Sequence, residues 1–158
     1  MKALFTAIVI LLLLVFVLPM LAVALNRVPL LVEPGFAARM QSYFTENQRM
    51  VREGHAFPEL RPICVEADAE RLEQAIDRAA KQLGWERVDS DHWVVTSAIF
   101  RFKDDVYVRI REGECRWLEI ESNSRVGRGD LGANLSHILR FNEALRLQLK
   151  AGGQGASG

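Results

Sequence analysis

The sequence predicts an α+β fold: a two-layer domain with a mainly antiparallel sheet and two amphipathic helices, preceded by one N-terminal transmembrane helix. Three observations predict it. Ala3 to Leu25 is an apolar run broken only by Thr6. The stretch from His92 to Glu121 reads as strands in which apolar and polar residues alternate. Two further segments, after Asp68 and after Asp130, repeat apolar residues at the spacing of a helix face.

The apolar run comes first. Its 23 residues, at a helical rise of about 1.5 Å each, cover roughly 34 Å, enough for a hydrocarbon core of roughly 30 Å. Pro19 should kink this helix, which lipid-embedded helices tolerate. The competing reading is a signal peptide cut after Ala24, because Ala22-Val23-Ala24 has the small-residue pattern of a cleavage site. A signal core is shorter than this run, so residues 1–27 are read as a retained anchor or an uncleaved signal. Lys2 and the amino terminus outweigh Arg27, which puts the amino terminus inside and the rest of the chain outside.

Residues 28–58 are expected to form a linker and juxtamembrane helix. Asn26 to Gly35, with two prolines, reads as an extended connector leaving the membrane. From Phe36 the spacing turns helical through Met50, with Phe36, Met40, Tyr43, Phe44 and Met50 mostly on one side. Such a helix packs on the domain, lies in the membrane interface or binds a partner.

The α+β domain is expected over 59–150. Leu60 to Glu66 is a short strand that Pro62 confines to an edge or a strand start. Asp68 caps a helix whose stripe is Leu72, Ala75, Ile76, Ala79, Ala80 and Leu83, and Gly84 ends it. Trp85 to Val88 and His92 to Phe102 have strand character on either side of Asp89-Ser90-Asp91. Lys103 and Asp104 are read as a turn. Asp105 to Ile110 sets Val106, Val108 and Ile110 against Tyr107 and Arg109. Glu112-Gly113 makes a hairpin, and Cys115 to Glu121 returns with Leu118 and Ile120 opposite Trp117 and Glu119. The last helix runs from about Leu131 to Lys150, with Leu131, Leu135, Ile138, Phe141, Leu145 and Leu149 on one arc. Residues 151–158 form a tail expected to be disordered.

Composition excludes some partners. Apolar residues make up 49% and charged residues 25%, with no net charge. With Lys2 and Arg27 set aside, 18 basic residues face 20 acidic ones and the two signs alternate. No basic face for DNA or RNA emerges.

The most informative motif lies between the hairpin and the last helix. Gly127, Gly129 and Gly132 match G-x-G-x-x-G, but no second parallel strand or distant acidic residue follows, so no nucleotide is expected. A smaller anion could sit where backbone N–H groups converge near Arg125, Gly127, Arg128, Gly129, Asp130, Gly132 and Asn134. The alternative is structural: Asp130 caps the helix and Arg125 pairs with Asp105. Asp104, Asp105 and Asp130 could be imagined around a metal, yet neighbouring strand residues point to opposite faces. His55, His92 and His137 lack metal-ligand spacing, and Ser97, Ser122 and Ser124 lie outside any nucleophile elbow. No catalytic residue, metal or cofactor is assigned. Cys64 and Cys115 either pair as a disulfide, in an oxidising compartment, or stay as two semi-buried thiols.

Phe100–Ile110 (FRFKDDVYVRI) and, above all, Ser124–Asn134 (SRVGRGDLGAN) carry a family resemblance. From about Leu60 to Leu145 the chain resembles the domain of unknown function (DUF) family 1499 of bacteria and plants. It departs from that family's pattern in the opening before the first strand. It departs again after Asn134, where Leu135 and Ser136 replace basic residues. The resemblance implies a fold and a family, and no activity.

The reading that follows is a non-catalytic, single-pass protein of the inner (plasma) membrane, with its domain on the extracytoplasmic side. It is expected to bind a protein partner or a small anionic ligand at the Gly/Arg loop. The alternatives are a metal-assisted hydrolase and a purely structural accessory subunit of a membrane complex.

Overall fold

The computed structural model of the chain describes residues 1–97, 101–113 and 115–154. Helix α1 is continuous through Lys2–Leu12, a π-helical stretch Leu13–Val17, and Leu18–Leu25. The wider turn precedes Pro19, whose ring crowds the carbonyl one turn back and which has no N–H to offer it. Leu4–Leu25 is a candidate membrane span of 22 residues and mean hydropathy 3.3, with 6% of its best window buried. Its side chains are thus free to face lipid, and in its last turn only Val23 packs into the core.

The other elements are α2 (Phe36–Thr45), β1 (Gln48–Met50), a 3₁₀ turn (Pro58–Leu60), β2 (Cys64–Val65), α3 (Ala69–Gln82), β3 (Glu86–Arg87), β4 (His92–Thr96), β5 (Lys103–Arg111), β6 (Arg116–Ser124) and α4 (Ala133–Gln154). The six strands form one antiparallel sheet in the order β1-β6-β5-β4-β3, with β2 also paired to β6. The fold is therefore α+β with helices α3 and α4 layered on one face.

Alternation decides that layering. Val106, Val108, Leu118 and Ile120 are buried toward the helices, against Leu72, Ile76 and Ala79 of α3 and Leu135, Ile138 and Phe141 of α4. The small alanines of α3 let it lie close, and Trp85 stacks on Phe141 with centroids 5.3 Å apart. Asp68 accepts from the Arg71 N–H at 2.8 Å and caps α3. The opposite face carries exposed ion pairs, Arg109–Asp91 at 2.7 Å and Arg111–Glu119 at 3.0 Å.

Several local expectations change. Lys103 and Asp104 do not turn the chain; they open β5, paired with Thr96 and Val95, because antiparallel partners on both sides extend the strand. The helix expected through Met50 stops at Thr45, and Gln48–Met50 becomes an edge strand on β6. The strand expected over Leu60 to Glu66 shrinks to Cys64–Val65. Of the strand expected over His92 to Phe102, residues 98–100 lie outside the described residues, as does Glu114 beside the hairpin. Helix α4 continues through Gln154, since each added turn closes hydrogen bonds on a helix already held by packing. Of the tail, residues 155–158 lie outside the described residues.

Helix α2 divides the residues expected on one side: Tyr43 is in the core and Met40 packs against it, while Phe36 is 52% exposed and Phe44 40% exposed. The buried residues are Arg39, Ser42 and Tyr43. Asn26 to Gly35, expected to leave the membrane as a connector, is instead bound to α2 and to the loop before α4.

Candidate functional site: the loop before the last helix

The loop over 125–132 joins β6 to α4, and its polar side chains are turned inward. Asp130 accepts from the Gly132 N–H at 2.8 Å and the Asn134 N–H at 3.0 Å, satisfying the first free donors of α4. Burial pushes the Asp130 carboxyl up, against the pull of Arg49 and of those backbone donors. Asn134, 0% exposed, has both ends of its amide engaged. It donates to the Asn47 carbonyl at 2.7 Å and to Ser124 Oγ at 3.0 Å, and accepts from Ser122 Oγ at 2.6 Å.

The glycines let α2 approach. The Asp130 and Leu131 N–H groups donate to the Glu46 and Tyr43 carbonyls at 3.2 and 2.9 Å, so the loop terminates α2. A Cβ on Gly129 would fall on the backbone of Phe44, 2.8 Å from its Cα and closer still to its carbonyl. Gly132 has φ +84°, and a Cβ there would lie 2.9 Å from a Val28 methyl. Asn47 Nδ2 donates to the Gly127 carbonyl at 2.8 Å.

The same loop holds the end of α1. Asn26 Nδ2 donates to the Leu131 carbonyl at 2.9 Å. Three residues on, the Pro29 carbonyl accepts from Tyr43 Oη at 2.9 Å and Arg39 Nη1 at 3.2 Å. Arg39 is 0% exposed. It donates to the Val32 and Glu33 carbonyls, makes a two-pronged pair with Glu59 at 2.6 and 3.0 Å, and lies 4.3 Å from the Phe57 ring centroid. Connector, α2 and 3₁₀ turn are therefore tied through one guanidinium.

Arg125 points the other way, to the open face of the sheet. Its Nε and Nη2 donate to both oxygens of Asp105 at 2.7 and 2.6 Å. His92 Nε2 meets the same carboxylate at 2.7 Å, and its ring stacks on Tyr107 at 4.4 Å. Arg125 foremost, with His92, lowers the Asp105 pKa to about 2 against a partly opposing desolvation. Arg128 is exposed and has no hydrogen bond or ion pair with the described residues.

Asp104 and Asp105 lie on opposite faces and share no site. Asp104 is buried toward α4, and burial raises its pKa. A serine, a histidine and this aspartate do meet there, but in no catalytic order. Ser122 Oγ and Asp104 both approach Nδ1 of His137, at 3.3 and 3.8 Å, so the ring cannot relay a proton between them. Burial lowers the His137 pKa to about 4, with Arg140 adding to the shift. Cys64 and Cys115 are joined as a disulfide, with Cα atoms 5.7 Å apart, linking β2 to the start of β6.

Sequence reading singled out Arg125, Asp130 and Asn134 for a ligand, with Asp130 as a helix cap and Arg125–Asp105 as an ion pair in the structural alternative, and did not single out Asn26, Val28, Arg39, Tyr43, Asn47 or Glu59. The available signals were a polar Asn26 at the end of the span and a lone arginine amid the apolar positions of α2. Neither names its partner, because Asn26 and Leu131 are 105 positions apart.

No curated protein and no solved structure matches the chain. A family model described as "Protein of unknown function (DUF1499)" matches residues 37–145, from α2 through the loop and into α4. On that match, which covers well over half of its length, the chain belongs to the DUF1499 family.

Proposed function

We propose that the chain is a non-catalytic, single-pass protein of the inner (plasma) membrane, with its domain on the extracytoplasmic side. Its work is binding, and the surface that does it is the outer rim of the loop before α4. The observation that carries this reading is the division of labour within the loop. Asp130, Asn134 and the glycines close the structure, and Arg125 is paired with Asp105, while Arg128 projects with no partner among the described residues. An exposed guanidinium with five donors suits a carboxylate or phosphate, on a protein partner or a small anion. The Cys64–Cys115 disulfide supports the extracytoplasmic side, because such bonds persist in oxidising compartments.

Pull-down from solubilised membranes tests the binding surface. Arg128→Glu should lose the protein or anion retained by the wild type while its unfolding free energy stays within about 0.5 kcal/mol of the wild type, as for surface changes generally. An unchanged set of retained molecules would sink the assignment. Thiol labelling in intact cells tests the address: Cys64 and Cys115 should react only after an added reductant, and free thiols in untreated cells contradict it.

A second reading rests on α2. Phe36 and Phe44 of α2 and Leu31 of the connector before it are exposed, apolar side chains suited to the membrane interface or to a membrane subunit. Phe36→Ser with Phe44→Ser should then release a co-purifying subunit and leave the Arg128 contact intact.

A further inference from the structure

Where the anchor meets the domain, a cleft of about 540 Å³ opens between the last turn of α1 and the first half of α4. Its depth relative to a bilayer follows from the sequence. The apolar span ends at Leu25, so Arg27, two residues on, stands at the level of lipid phosphates. The opposing wall does not float. Asn26 holds the Leu131 carbonyl and Val28 packs on Gly132, which brings α4 beside the membrane with Ser136, Leu139, Arg140 and Glu143 on one face at helical spacing.

The charges of this cleft are unanswered. Some exposed arginines of the domain pair with carboxylates, Arg87 with Asp77, Arg109 with Asp91 and Arg125 with Asp105, while others, Arg52, Arg78, Arg128 and Arg146, make no ion pair with the described residues. Arg27 and Arg140 make no ion pair with any described residue, Glu143 included. Two guanidiniums against one carboxylate leave the cleft positive, and Leu25 and Leu139 are its apolar lining residues.

We infer that this cleft binds the headgroup of a membrane phospholipid. Arg27 and Arg140 donate to the phosphate oxygens. Leu25 and Leu139 lie against the top of the acyl chains, and Glu143 accepts from a headgroup ammonium or hydroxyl. The inference rests on the reading that α1 stays in the membrane, and it is separate from the Arg128 rim.

The test uses the full chain purified in detergent, with phosphatidylethanolamine, phosphatidylglycerol or inorganic phosphate added, and bound lipid counted by native mass spectrometry. Wild type should retain phospholipid and gain thermal stability from it. Arg27→Gln with Arg140→Gln should weaken retention by on the order of tenfold or more, with an unchanged circular dichroism spectrum, since both residues are exposed. Equal retention by the double variant overturns the site. A stability gain from inorganic phosphate equal to that from lipid overturns the lipid assignment in favour of a free-phosphate site. Membrane fractionation with the intact mass separates the two claims: a chain cut before Arg27 defeats anchor and cleft together, whereas an intact membrane-bound chain that ignores lipid defeats the cleft alone.

Discussion

Gly129 in the loop and His137 in α4 show what close packing imposes on single residues. Gly129 is not among the positive-φ glycines, so its requirement is space: the Phe44 backbone occupies the position of a side chain. Gly129→Ala must push α2 away and lengthen the hydrogen bonds from Asp130 and Leu131, costing about 1–3 kcal/mol. Urea unfolding will read that loss, together with faster proteolysis within 30–45. His137 is held neutral by burial, with its pKa lowered from 6.5 to about 4. Below about pH 6.5 the unfolded chain takes up a proton that the folded protein refuses until about pH 4. Stability from this group therefore falls as pH drops through that window, by on the order of 3 kcal/mol in full. Asp104 and Asp130, raised by burial, act in the opposite sense. The difference between wild type and His137→Gln isolates the histidine: it should shrink from pH 7 to pH 4, and a flat difference contradicts the assignment.

Helix α2 is stabilised as an element by charge on its inner face. Arg39 is fully buried, and Glu59, 14% exposed at its side chain, is its counter-charge. Glu59→Gln leaves a buried guanidinium unpaired, at a cost of about 3–5 kcal/mol. Adding Arg39→Met to that variant should recover only part of the loss, because the Pro29, Val32 and Glu33 carbonyls then lack their donor. Denaturation midpoints of the three variants will show the order. Full recovery in the pair would mean that those carbonyls find other donors. The strands were more legible than this helix: the alternation of Val106, Val108 and Ile110 names its buried side directly.

Across the whole molecule, covalent and non-covalent ties join distant parts, among them the disulfide and the Asn26–Leu131 contact. The disulfide closes a separation of 51 residues, worth about 4 kcal/mol in the chain-entropy model. Unfolding with and without reductant, or for Cys64→Ser with Cys115→Ser, should differ by that order, and equal midpoints would place the stability elsewhere. A non-covalent tie runs from Asn26 through Leu131 to Tyr43, seating the domain on the end of α1 without a flexible stalk. By itself the sequence determined the apolar span, the strand faces and the caps at Asp68 and Asp130, because each depends on residues a few positions apart. Only the tertiary structure decided that α2 turns its charged side inward and that the glycine loop is a fastening for α2 and the end of α1. Periodicity reports which residues share a face. Whether that face meets protein, water or lipid depends on contacts made a hundred residues away.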